Sequence, residues 1–246
     1  MKLFAVLSLL LTAHLGAQDL YLIIGQSNAA GRGRLPDPLE TVAQVQVLDA
    51  QGSFVAADLD TNKFSTVKKP GFSGASFALS FGQAMHAATG QEIRLVVNAR
   101  GGSSIKQWKP SADPQQPSLY DEAVLRLKLA LEKAPDSTLK GILWHQGESN
   151  RNLESYPEHL AELIAQLREE FGVVPFIAGE ISHEREDNAP FNANLKAITT
   201  IPAVDYVSAE GLATSDKTHF TTEAQQQLGL RYAEKMQAQQ KPATKQ

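Results

Sequence analysis

A chain of 246 residues with 42% hydrophobic and 20% charged side chains, 17 Gly and 12 Pro has the make-up of an ordinary single globular domain, which excludes disordered and fibrous architectures. Lys and Arg total 23 against 27 for Asp and Glu, a net charge of −4, and no basic run exceeds Lys68-Lys69, so a nucleic-acid partner is not expected. With no cysteine in the sequence, disulfides, thiolate metal sites and a cysteine nucleophile are excluded, and the chemistry falls to oxygen and nitrogen groups.

Met1-Lys2, the apolar run 3–11 and the small residues Gly16-Ala17 read as a signal peptide over 1–17, too short to span a bilayer. The expectation is an exported protein, periplasmic or secreted, whose mature domain covers 18–237 and is not held in a membrane. Residues 20–24, 93–97, 141–144 and 173–178 are short, rich in β-branched and aromatic side chains, and bounded by turn formers. They are predicted as buried strands, with 203–207 as a fifth. Between them, Phe77, Phe81, Ala84, Met85 and Ala88 share one helical face. So do Leu119, Ala123, Val124 and Leu127, then Leu160, Leu163, Ile164, Leu167 and Phe171, and finally Ala224, Leu228, Tyr232 and Met236. Strand and helix taking turns predicts an α/β protein, a three-layer α/β/α sandwich around a parallel sheet. Segments 35–71 and 183–194 carry no readable pattern, and the polar, Lys/Gln-rich residues 238–246 are expected to form a flexible tail.

Ligands of open α/β sheets bind beyond the carboxyl ends of the strands, and four segments at such ends carry polar chemistry. They are GQSNAAGRG from Gly25, NARGGSS from Asn98, HQGESN from His145, and SAEG from Ser208 leading to DKTHF at Asp216. A serine needs an imidazole to take its proton and an acid to orient that imidazole; Ser27, His219 and Asp216 can fill these roles. Gly25 permits a sharp turn that leaves Ser27 exposed, and Thr221-Thr222 caps the helix that follows His219. Acyl transfer also needs donors for a developing oxyanion, which the Gly102 N–H and the Gln146 amide can supply. His145 reads as a hydrogen-bonded structural histidine and Trp144 as core. The cluster His183-Glu184-Arg185-Glu186-Asp187 lacks the spacing of a metal motif and reads as a charged rim. Arg100 and Trp108, near the glycine turn, are candidate sugar-binding residues.

The strings GQSNAAGRG, NARGGSSIKQW and ILWHQGESN, followed by a late DKTHF, resemble the SGNH hydrolase superfamily. The likeness is to its carbohydrate-esterase branch of acetylxylan esterases and sialate O-acetylesterase-like proteins, and it runs from about Leu20 to Tyr232. It implies a flavodoxin-like sandwich and a serine esterase that uses no metal or cofactor and removes acetyl groups from carbohydrates. Carried over, Ser27 is the nucleophile and His219 the base. The N–H groups of Ser27 and Gly102 and the Gln146 amide form the oxyanion hole. The helper acid is Asp216 or, as in some members of the branch, Glu148, with Asp216 favoured. A lipase or thioesterase of the same fold would need an apolar acyl channel, which the polar residues 107–118 do not suggest. A non-catalytic carbohydrate-binding relative would not need the full set of catalytic groups.

Overall fold

The computed structural model describes residues 18–241; the expected signal peptide lies outside them. Seven strands form one sheet: β1 (Gln18–Gly25), β2 (Val42–Leu48), β3 (Phe54–Ala57), β4 (Ile93–Val97), β5 (Ser137–His145), β6 (Phe176–Gly179) and β7 (Val204–Val207), in the order β3-β2-β4-β1-β5-β6-β7. Only the β2–β3 pair is antiparallel. The connections carry α1 (Ser27–Ala30), α2 (Ala78–Thr89), α3 (Leu119–Lys133), α4 (Tyr156–Phe171), α5 (Ala189–Leu195) and α6 (Thr222–Gln240).

Leu20 to Ile24 are fully buried, as a central strand covered on both faces requires, and this is why its sequence is a continuous apolar run. The pleat then divides them. Leu20, Leu22 and Ile24 join a cluster with Leu127 of α3 and Leu160, Leu163 and Ile164 of α4. Tyr21 and Ile23 join a second with Phe81 and Met85 of α2 and Leu228 and Tyr232 of α6. Because alternate strand residues point to opposite faces, the two clusters lie on opposite sides of the sheet. Local signals set the helix ends. Ser118 and Asp121 form a reciprocal capping box at the start of α3, and Thr221 accepts from Ala224 N–H at the start of α6, each cap contributing about 1 kcal/mol.

Three expectations change. The strand predicted over 173–178 begins only at Phe176, and Val173 is exposed. Segment 35–71 contributes β2 and β3. The tail predicted from residue 238 is helical through Gln240, whose amide donates to Tyr21 Oη at 3.2 Å and to the Lys140 carbonyl at 3.0 Å. Residues 242–246 lie outside the described part of the chain.

The order of strands places β1 between β4 and β5, so the chain leaves the carboxyl end of β1 with the β4 loop on one side and the β5 loop on the other. This is the crevice that an α/β sheet offers a ligand.

Candidate active site

At the end of β1 the backbone must leave the sheet beside the neighbouring strand. Gly25 does so at φ +137°, and a Cβ there would overlap the His145 carbonyl, so no other residue fits. The turn is fastened on both sides, by Gln26 N–H to the His145 carbonyl (2.9 Å) and Arg100 N–H to the Gly25 carbonyl (3.0 Å). Ser27 then opens the single turn α1. It is 4% exposed, more enclosed than the exposed turn expected.

His219 arrives from a loop closed by Ser215 N–H to its own carbonyl at 2.8 Å, with Lys217 in the left-handed region at φ +66°. Its Nε2 lies 3.1 Å from Ser27 Oγ, and its Nδ1 lies 2.7 Å from Asp216 Oδ2. An ionised carboxylate only accepts hydrogen bonds, so Nδ1 carries the proton and Nε2 is left to accept from the serine. Asp216 Oδ1 also accepts from the backbone N–H of His219 (2.7 Å) and Thr218 (3.0 Å). Burial works against its charge, but the hydrogen bonds from the His219 N–H, the His219 ring and the Thr218 N–H outweigh it and hold the carboxyl below its ordinary range.

Glu148, the second candidate acid, does not bond to His219. Its Oε1 accepts from Asn28 Nδ2 at 2.6 Å, and its buried Oε2 has no partner among the described residues. Burial pushes its pKa up. Asn28, which no sequence pattern singles out, is the hub here. The same Nδ2 donates to the Thr218 carbonyl (3.0 Å), while Oδ1 accepts from Phe220 N–H (3.1 Å) and Gln225 Nε2 (3.3 Å). It therefore grips the backbone on both sides of His219, and Glu148 braces it from below.

A family described as carbohydrate esterase, sialic acid-specific acetylesterase, matches residues 17–238. The chain belongs to this family. It is 30% identical over 251 residues to the probable carbohydrate esterase At4g34215 of Arabidopsis thaliana, covering 88% of this chain and 89% of that relative. The X-ray structure of the Arabidopsis protein aligns with a TM-score of 0.79 at 26% identity, over 90% of this chain and 98% of the other. NanS aligns at 0.68 with 17% identity over 91% of this chain and 98% of its own, and a carbohydrate acetylesterase of Xanthomonas citri at 0.61 with 20% identity over 88% and 55%. At these lower identities what is shared is the α/β fold.

Two of the donors expected in this sialic acid-specific acetylesterase family member are open. Neither Ser27 N–H nor Gly102 N–H donates to an acceptor among the described residues, and Gly102 turns at φ +70°, which suits glycine. The third expectation is corrected. Gln146 is fully buried, and its Nε2 lies 3.0 Å from Gln26 Oε1, 3.0 Å from the Ser103 carbonyl and 2.7 Å from Asn150 Oδ1. Its two N–H bonds are thus committed inside the protein, where they tie the loops after β1, β4 and β5 together. Gln26 Oε1 also accepts from Ser149 N–H (3.3 Å), while its own Nε2 has no acceptor among the described residues.

Trp108 is corrected as well. It is 0% exposed, its Nε1 donates to Ser103 Oγ (3.1 Å), and it stands edge-on to Trp144 at 5.1 Å, so it packs beneath the glycine turn and offers no face to a sugar. Arg100 is half-buried and donates to the Val67 carbonyl (3.0 Å). His145 is structural, as expected. Its Nδ1 donates to Tyr232 Oη at 3.0 Å, which in turn donates to the Trp144 carbonyl at 2.7 Å, and burial pushes its pKa down to about 3. The charged rim is held to its surroundings: His183 Nε2 is 2.7 Å from Glu180 Oε2, and Glu184 accepts from Thr214 N–H at 2.6 Å.

Proposed function

We propose that the protein is a serine esterase that removes O-acetyl groups from carbohydrates, of the sialate or acetylxylan type, on a three-layer, flavodoxin-like SGNH scaffold. The single observation that carries the reading is the continuous chain from Asp216 through His219 to Ser27, at 2.7 and 3.1 Å. In this mechanism Ser27 Oγ attacks the acetyl carbonyl carbon as its proton passes to His219 Nε2. The N–H groups of Ser27 and Gly102 receive the oxyanion, a contribution of roughly 10²–10³ in rate per donor in known cases. Collapse expels the sugar oxygen, which takes the proton from His219, and leaves acetyl-Ser27. A water that gives its proton to His219 then attacks this ester, and acetate is released as the bond to Ser27 Oγ breaks and that oxygen takes the proton back from His219. Asp216 holds the imidazole in the required tautomer throughout, and Glu148 supports the site through its hydrogen bond from Asn28.

A depression of about 390 Å³ lined by Glu148, Ser149, Asn150, Arg151, Asn152 and Leu153 lies along the loop after β5, and the carbohydrate esterase family matched over residues 17–238 supports a sugar substrate. With residues 1–17 read as an export signal, the proposed activity belongs to the periplasm or the outside of the cell. The test is turnover of p-nitrophenyl acetate against p-nitrophenyl octanoate. The acetyl ester is hydrolysed faster, and Ser27→Ala lowers kcat/KM at least about 10³-fold. An octanoyl preference would replace this reading with a lipase.

A further inference from the structure

The segment that presents Asp216 and His219 is a small hairpin. It is closed by an antiparallel bridge between Thr214 and Phe220, by Ser215 N–H to the His219 carbonyl at 2.8 Å and by Thr221 N–H to the Ala213 carbonyl at 3.1 Å. Its tip holds Lys217 at φ +66°, a conformation that a lysine keeps only where its surroundings over-determine it. Asn28 grips the returning arm through the Thr218 carbonyl and the Phe220 N–H. The outgoing arm is gripped from a different part of the chain. Glu184 Oε1 accepts from Thr214 N–H at 2.6 Å and Oε2 from the Thr214 hydroxyl at 2.7 Å, a two-pronged, charge-assisted contact across 30 residues of sequence.

Glu184 belongs to the charged run 183–187, between β6 and α5. Two of its neighbours are engaged with other carboxylates, His183 with Glu180 and Arg185 with Asp187. Among the described residues no cation lies within ion-pairing distance of Glu184 itself. The segment that carries it is firmly mounted. Asn192 of α5 bonds both the N–H (3.0 Å) and the carbonyl (2.9 Å) of Ile181, Asn188 donates to the Ser182 carbonyl (2.8 Å), and the Ser182 hydroxyl accepts from Glu184 N–H (3.1 Å). A carboxylate on a fixed mount, with both oxygens committed to one residue of the hairpin, sets where the hairpin lies. We infer that Glu184 is a positioning residue for the acyl transfer: by clamping Thr214 it fixes the approach of His219 Nε2 to Ser27 Oγ. This rests on the esterase reading. Glu184 makes no hydrogen bond to Ser27, Asp216 or His219 and takes part in no proton transfer; it acts through the geometry of the hairpin, where a displacement of about 1 Å can cost roughly a hundredfold in rate.

The experiment follows p-nitrophenyl acetate hydrolysis by the unaltered protein and by Glu184→Ala, Glu184→Gln and Thr214→Val, with thermal denaturation of each as the measure of folding. In Glu184→Ala kcat falls about tenfold or more while KM stays within about threefold, because the chemical steps slow without loss of the acyl pocket. Glu184→Gln can keep both contacts, its amide oxygen accepting from Thr214 N–H and its NH₂ donating to the hydroxyl oxygen, and it restores kcat to within about threefold of the unaltered protein. Thr214→Val loses the hydroxyl contact alone and falls between the two, so the clamp is tested even where Glu184→Ala does not fold. A kcat that neither Glu184→Ala nor Thr214→Val lowers, whatever happens to the melting temperature, confines the clamp to stability and overturns the inference. Glu184→Gln as slow as Glu184→Ala assigns the effect to charge and not to position, and overturns it too. The esterase reading stands in both cases. Failure of the unaltered protein to hydrolyse any acetyl ester overturns both.

Discussion

At the scale of single residues, the two candidate acids separate by what they touch. Asp216 accepts directly from His219 Nδ1, whereas Glu148 makes no hydrogen bond to the histidine and acts on it through Asn28 and through its charge. In Asp216→Asn the amide NH₂ can face Nδ1 and favour the wrong tautomer, as happens when a triad carboxylate is amidated. Since Asp216 is 53% exposed on its side chain, water replaces part of what is lost, and the expected fall in kcat/KM on p-nitrophenyl acetate is about 10- to 100-fold. Glu148→Gln keeps an oxygen for Asn28, so its loss is less than tenfold; the reverse order would make Glu148 the helper. Because Asp216 is held below its ordinary carboxylate range, it stays ionised and keeps its hold on the His219 ring at neutral pH.

At the scale of elements, the site depends on how well loops from distant parts of the chain are fastened. Asn28, on α1, holds the segment before α6 through the Thr218 carbonyl and the Phe220 N–H. Asn28→Ala strands these buried groups and the Glu148 carboxyl, at about 2–4 kcal/mol of stability by denaturant titration. It also lets His219 move, so kcat falls more than KM changes. Unchanged kcat with reduced stability would confine Asn28 to a structural part. The elements themselves were legible where one physical demand dominates. Buried parallel strands favour apolar runs: β1, β5 and β6 carry unbroken ones at 20–24, 142–144 and 176–178, while Arg94 interrupts β4 and Asp205 interrupts β7, each leaving enough apolar residues to be read. β2 was overlooked although Val-Gln-Val over 45–47 alternates as a half-buried strand should, because β3 is only Phe54–Ala57 and no tight turn signal joins the two. The serine, histidine and aspartate were legible because acyl transfer asks for those residue types at strand ends. Asn28, the commitment of Gln146 and the burial of Trp108 were not, since an amide or an indole reads the same in sequence whether it meets a ligand or its own neighbours.

At the scale of the whole molecule, the buried groups set the response to acid. His145 takes up a proton only near pH 3 when folded, but near its ordinary value of about 6.5 when unfolded. Between these values the unfolded chain holds more protons, so this contribution is complete above about pH 6.5 and is lost as the pH falls, by up to about 1.4 kcal/mol per pH unit. Asp216, depressed in the fold, adds a further loss at lower pH. Glu148, raised by burial, works the opposite way, because the folded state takes up that proton first. Denaturant titrations at pH 7, 6, 5 and 4 should show falling stability, and His145→Asn should flatten the decline; an equally steep decline in the variant would assign it to other groups. One further consequence lies in the 192 residues that separate the serine from the histidine it meets. Translation delivers the hydroxyl well before the imidazole, so a polypeptide broken off ahead of His219 lacks the base and is chemically silent. Ester cleavage in a crude preparation would therefore report molecules synthesised past His219.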